Sequence, residues 1–125
     1  MRLDDPRLLN EAEKRIMAAL LAPDFPGVGE LRAQVADALV VGRCDCGCPT
    51  VELLVPPDAP SSMVTTHARL APVEGHVTPI ADEPPGDIIL FVDDGRMTCL
   101  EYVSYDDPAP SEWPTLDRLT VTRTD

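Results

Sequence analysis

The stretch IILFVDDGRMTCLEYVSY, Ile88 to Tyr105, constrains the fold most. Two apolar runs flank Asp94-Gly95, a pair that favours a two-residue hairpin turn because it tolerates positive φ at both central positions. That closure predicts Asp93 opposite Arg96, Val92 opposite Met97, Leu90 opposite Cys99 and Ile89 opposite Leu100. One face then carries Ile88, Leu90, Val92, Met97, Cys99 and Val103, and the other Ile89, Phe91, Leu100 and Tyr102. Both are apolar, so the hairpin reads as a central pair covered on each side.

Helical spacing precedes this strand region. Asp5-Pro6 reads as a helix start, with Asp5 as the cap and Pro6 in the first turn. Leu9, Glu13, Ile16 and Leu20 follow on one stripe, and Pro23 ends it. After Phe25, the residues Val28, Leu31, Val35 and Leu39 form a second seam, with Glu30, Arg32, Gln34 and Asp37 turned outward. Beyond Leu39 the period changes to two. Val40 to Cys44 and Thr50 to Val55 read as strands, Met63 to Leu70 as a third and Val73 to Thr78 as a weaker one, with Leu119 to Thr122 at the end.

The expected fold is therefore α+β in one domain over 1–125. A helical pair at 5–39 packs on a mostly antiparallel sheet at 40–122, of about five strands. The helices cover one face of the hairpin. The second face needs the Pro-rich loops, Trp113 in SEWP, or a second subunit, which would make a homodimer.

The segment CDCGCP places Cys44, Cys46 and Cys48 within five residues, and Cys99 is the only other cysteine. On a flat strand their side chains would lie about 6.6 Å apart. The sulfurs around a zinc ion lie about 3.8 Å from one another. Metal binding thus requires a turn, which Gly47 permits and Pro49 stiffens. Cys44, Cys46 and Cys48 are the candidate ligands of one zinc ion, with Cys99, His67 or His76 as the fourth. The competing readings are no cofactor at all, with small core or turn cysteines, or a redox thiol. Single-residue gaps differ from the usual paired C-x2-C spacing.

No other pattern carries chemistry. Gly27 and Gly29 open a helix without a phosphate-binding fingerprint around them, and Asp93-Asp94 is explained by the turn. No catalytic residues are assigned, and an enzyme is not expected. The net charge is −12 over 125 residues. From Glu74 to Asp117 there are eleven acids and a single base, Arg96. Such a field disfavours nucleic acid and anionic membranes and attracts a basic protein. Glu74, Asp82, Glu83, Asp106 and Asp107 are the candidate partner-binding acids. The N-terminal MRLDDP lacks the features of a signal peptide, and the expected location is cytoplasmic.

Three stretches also carry a resemblance. FPG-x3-LR-x-Q (Phe25 to Gln34), C-x-CGCPT (Cys44 to Thr50) and FVDDG-x4-LEYVSYDD (Phe91 to Asp107), ending in EWP, resemble a group of small uncharacterised bacterial proteins. The resemblance implies a shared fold and transfers no activity or metal. The function expected is that of a small acidic binding or regulatory protein, an antitoxin- or immunity-like inhibitor among the options. The alternative is a module stabilised by zinc.

Overall fold

A computed structural model describes residues 1–64, 69–80, 83–106 and 110–124. Its architecture is α+β: two α-helices and seven strands among the described residues, all neighbours antiparallel, rather than the about five strands expected. Strands β1 (Arg2–Leu8), β2 (Leu39–Arg43), β3 (Val51–Leu54), β4 (Leu70–Val77), β5 (Gly86–Asp93), β6 (Arg96–Ser104) and β7 (Leu119–Arg123) form one sheet. Their order is β1-β2-β3-β6-β5-β4-β7.

The first strand corrects the expected start of the helical pair. Asp5-Pro6 lies inside β1, an edge strand, where a proline costs no ladder hydrogen bond. Helix α1 (Glu11–Leu20) begins five residues later, at a capping box. The Asn10 side chain accepts from the Glu13 N–H, and the Glu13 carboxylate accepts from the Asn10 N–H, each at 2.9 Å. Glu13 is buried and also holds Arg7 of β1 through two hydrogen bonds of 2.8 and 3.0 Å, tying strand to helix. Ile16, Met17 and Leu20 complete the buried face as the periodicity predicts.

Helix α2 (Val28–Gln34) is shorter than expected, since Leu39 already belongs to β2. Val28 and Leu31 are buried, but so is Gln34, which was expected to face outward. Its amide fits because each polar atom is satisfied. Nε2 donates to the carbonyls of Pro60 and Gly95 at 2.8 Å, and Oε1 accepts the Met97 N–H at 3.1 Å. One side chain thus pins α2, the 60–62 loop and the β5–β6 turn together.

That turn forms as expected, with φ of 53° at Asp94 and 76° at Gly95. Asp93 faces Arg96 and Val92 faces Met97. The ladder then shifts by one residue: Phe91 faces Cys99, Leu90 faces Leu100 and Ile89 faces Glu101. Thr98 is the unpaired residue of this β-bulge. The buried face is consequently Ile88, Leu90, Val92, Met97, Leu100 and Tyr102. Cys99 and Val103, expected on that face, turn with Ile89 and Phe91 to the other, where all four are half-buried.

The helices pack on the first face only, among the described residues. A Cβ added to Gly75 of β4 would meet Leu20 of α1 at 3.4 Å and Ile88 at 3.3 Å, which fixes the side on which α1 sits. Trp113 joins the same core, stacked on Tyr102 with ring centroids 5.8 Å apart, and so does not cover the second face. The weak strand expected at 73–78 is β4, paired on both sides, and the C-terminal strand is present as β7. Of the strand expected at Met63–Leu70, residues 65–68 lie outside the described set, and Met63 and Val64 are not in a strand.

The two halves of the sheet meet at one seam. Strands β3 and β6 share only the pairs Val51–Leu100 and Glu52–Cys99. The Thr50 hydroxyl extends the seam by accepting the Tyr102 N–H at 3.0 Å.

Replacing Gln34 by Ala would strand the Met97 N–H in the core and take one of its two donors from the Gly95 carbonyl, which keeps the Ser62 N–H. We expect a loss of about 2–3 kcal/mol, read as a lower urea midpoint with an unchanged m-value.

Candidate functional site

The β2–β3 hairpin builds the cysteine turn. Arg43 and Val51 are its last ladder pair, and the Cys44 N–H still reaches the Thr50 carbonyl at 3.4 Å. Gly47 has φ 92°, and a Cβ there would touch nothing within 4 Å, so glycine serves the backbone angle rather than space. The turn gathers the sulfurs of Cys44, Cys46 and Cys48 within 4.8 Å of one another. Those of Cys44 and Cys46 are 2.7 Å apart, and the Cys48 N–H donates to the Cys46 sulfur at 3.4 Å. Cys46 is exposed, Cys44 half-buried and Cys48 buried.

Cys46 and Cys48 are shifted in opposite directions. Hydrogen bonds with Cys44 and Cys48 hold the Cys46 proton and push its pKa up to about 11. Burial works to raise Cys48, but hydrogen bonds from Cys46, Thr50 and Cys44 outweigh it, and the net direction is down. Of these two the thiolate therefore forms first at Cys48, stabilised by its neighbours. Such a group suits a soft cation, which takes thiolates in preference to oxygen donors. Sulfur separations running from 2.7 Å to at most 4.8 Å bracket the ~3.8 Å of a zinc site.

The structure does not bring Cys99 into this group. It sits on β6 between Glu52 and Phe91, facing away from the helices. Burial, then the nearby Glu101 and Glu52 carboxylates, push its thiol up to about 12. His76 lies elsewhere, with Glu74 and Asp87, their ligand atoms within 4.8 Å. Its Nδ1 is 2.9 Å from Asp87 Oδ1, across the β4–β5 ladder, and the Tyr105 hydroxyl donates to Asp87 Oδ2. Cross-strand pairing accounts for this cluster. His67 lies outside the described residues.

The candidate partner-binding acids separate in the same way. Glu74 is on the open face of the sheet, flanked by Ile89 and Thr122 in the ladder. Glu83 is engaged by the buried Arg118 guanidinium, and Asp106 is exposed, its carbonyl accepting from the Ser104 hydroxyl. Asp82 and Asp107 lie outside the described residues. Sequence reasoning passed over Glu52, and within the acidic Glu74–Asp117 region it did not single out Asp87 and Glu101, which share the open face with Glu74. Strand alternation was the signal for Glu101, but the bulge reversed it.

A cleft of about 410 Å³ lies beside the turn, between Arg7, Glu13, Arg43, Pro49, Glu112 and Trp113. No helix among the described residues is long and apolar enough to cross a membrane. No protein-family model, curated protein or solved structure matches the chain.

The acidity order has a direct readout. With a pKa near 12, Cys99 exposes a thiolate fraction of only about one in ten thousand at pH 8. Iodoacetamide should label it slowest in the folded, reduced protein, and at an ordinary thiol rate in urea. Peptide mass mapping over time checks this.

Proposed function

We propose that this is a small binding protein whose cysteine turn holds one soft metal ion, zinc being the reference case. The observation that carries the reading is the gathering of three sulfurs within 4.8 Å on a turn anchored by strands at both ends. A metal there would cross-link Cys44, Cys46 and Cys48 and stabilise the β2–β3 turn, because ligand binding to the folded state adds to its stability. The three protein sulfurs leave the fourth position to water or to a group brought by a partner. Location in the cytoplasm is part of the proposal, since a reducing compartment keeps such thiols free.

A second reading, that the acidic surface binds a basic protein as an antitoxin- or immunity-like inhibitor would, has its own support. Glu52, Glu74, Asp87 and Glu101 sit together on the sheet face opposite the helices.

Protein purified under reducing conditions from zinc-supplemented culture should carry about one equivalent of zinc, and Cys46→Ser roughly a tenth or less. A chelator should lower the melting temperature of the wild type and leave that of Cys46→Ser unchanged. Binding must displace thiol protons, that of Cys46 at about 11 included, so affinity should rise with pH. We expect it to be at least about tenfold weaker at pH 6 than at pH 8. Zinc-free wild type with an unchanged melting temperature overturns the metal reading.

A further inference from the structure

The sheet face opposite the helices has a definite composition. In one row across the strands, Glu52 of β3, Cys99 of β6 and Phe91 of β5 are neighbours. In the next, Glu101 of β6, Ile89 of β5 and Glu74 of β4 are neighbours, an apolar side chain between two carboxylates. At two strand spacings those carboxylate-bearing positions are about 9.6 Å apart. Val103 and Asp87 pair in the row beyond, and Leu54 of β3 is 54% exposed at the other end. Among the described residues, Arg2 approaches Glu52 of this face at 4.0 Å, and His76 approaches Asp87.

We infer that this face docks a cationic protein segment that presents an apolar side chain between lysines or arginines. The inference rests on the second reading above and supplies its location and its chemistry. Burying Ile89 and Phe91 gives the attachment its apolar part. The flanking carboxylates select cations and speed encounter, since complementary charge acts on rate and specificity. The same charge disfavours the other occupants. A second copy would bring Glu52, Glu74, Asp87 and Glu101 against their own kind on a chain of net charge −12. An anionic bilayer would be repelled likewise. The acids named from the sequence alone are less suited, because Glu83 is already engaged by Arg118.

The test uses a synthetic peptide of three Lys-Ser-Leu-Ser repeats, which as a strand shows lysine and leucine alternately on one side. Its control has serine for leucine. Titrated into isotope-labelled protein, the peptide should shift the amides of Glu52, Ile89, Phe91 and Glu101 and leave α1 unmoved. Binding should weaken at least about tenfold between 20 and 300 mM NaCl. It should weaken at least about fivefold in the double variant Glu74→Gln, Glu101→Gln, in Ile89→Ser with Phe91→Ser, and with the control peptide. Glu83→Gln with Asp106→Asn should not change it. If the serine variant misfolds by circular dichroism, the glutamine variant and the control peptide decide. Shifts spread equally over Asp106, Glu112 and Asp117, or indifference to the leucines, would overturn this surface while leaving a basic partner in place. No binding at 20 mM NaCl would remove both readings. A dimer in sedimentation that Phe91→Ser dissociates would assign the face to a second copy instead.

Discussion

Thr98 has no partner across the β5–β6 ladder, and the rest of the sheet is arranged around that omission. Strand side chains alternate, so one unpaired residue reverses every side chain beyond it. With the reversal, Leu100 and Tyr102 enter the core and Trp113 finds a ring to stack on. Without it, Glu101 would be driven under the helices and two large apolar side chains would face away from them. The bulge is therefore the cheaper arrangement. It also sets the character of the opposite face, where Cys99 and Glu101 now stand beside Phe91 and Ile89.

The cysteine turn depends on the same ladder at one remove. Thr50 accepts the Tyr102 N–H and also hydrogen-bonds to the Cys48 thiol. The register of β6 thus fixes the residue that helps to lower the pKa of the Cys48 thiol. Chemistry at the turn and packing in the core share one polar side chain between them.

The sequence made the local features readable and the long-range ones less so. Asp94-Gly95, the Ile16–Leu20 stripe and the β2–β3 hairpin around Gly47 rest on turn chemistry and periodicity, which act over a few residues. Asn10 and Glu13 wrote a capping box in plain view, yet Asp5-Pro6 offered an equally good start. What decides between them is Arg7, which β1 delivers to the buried Glu13 carboxylate. Gln34 looks like a surface residue until the loop at Pro60 and the turn at Gly95 arrive to satisfy it. Cys99 looked like a core thiol because nothing in the sequence announces a bulge at Thr98. The three-sulfur turn was legible as a shape, whereas the acids of the open face came together only through strand order.

The narrow seam between β3 and β6 has a consequence for how the chain assembles. Along the chain, β1 to β3 make up one half of the sheet and β4 to β7 the other, each knit by antiparallel neighbours within it, while the helices pack across the division, α1 on β4 and α2 on β6. Only Val51–Leu100 and Glu52–Cys99 join them in the ladder. A contact across that span of chain pays a loop-closure entropy that the local hairpins do not, so docking of the halves is the natural late step. A polypeptide cut between Pro56 and Pro60 should then behave as two complementing fragments, which regain the native sheet when mixed and stay frayed when apart.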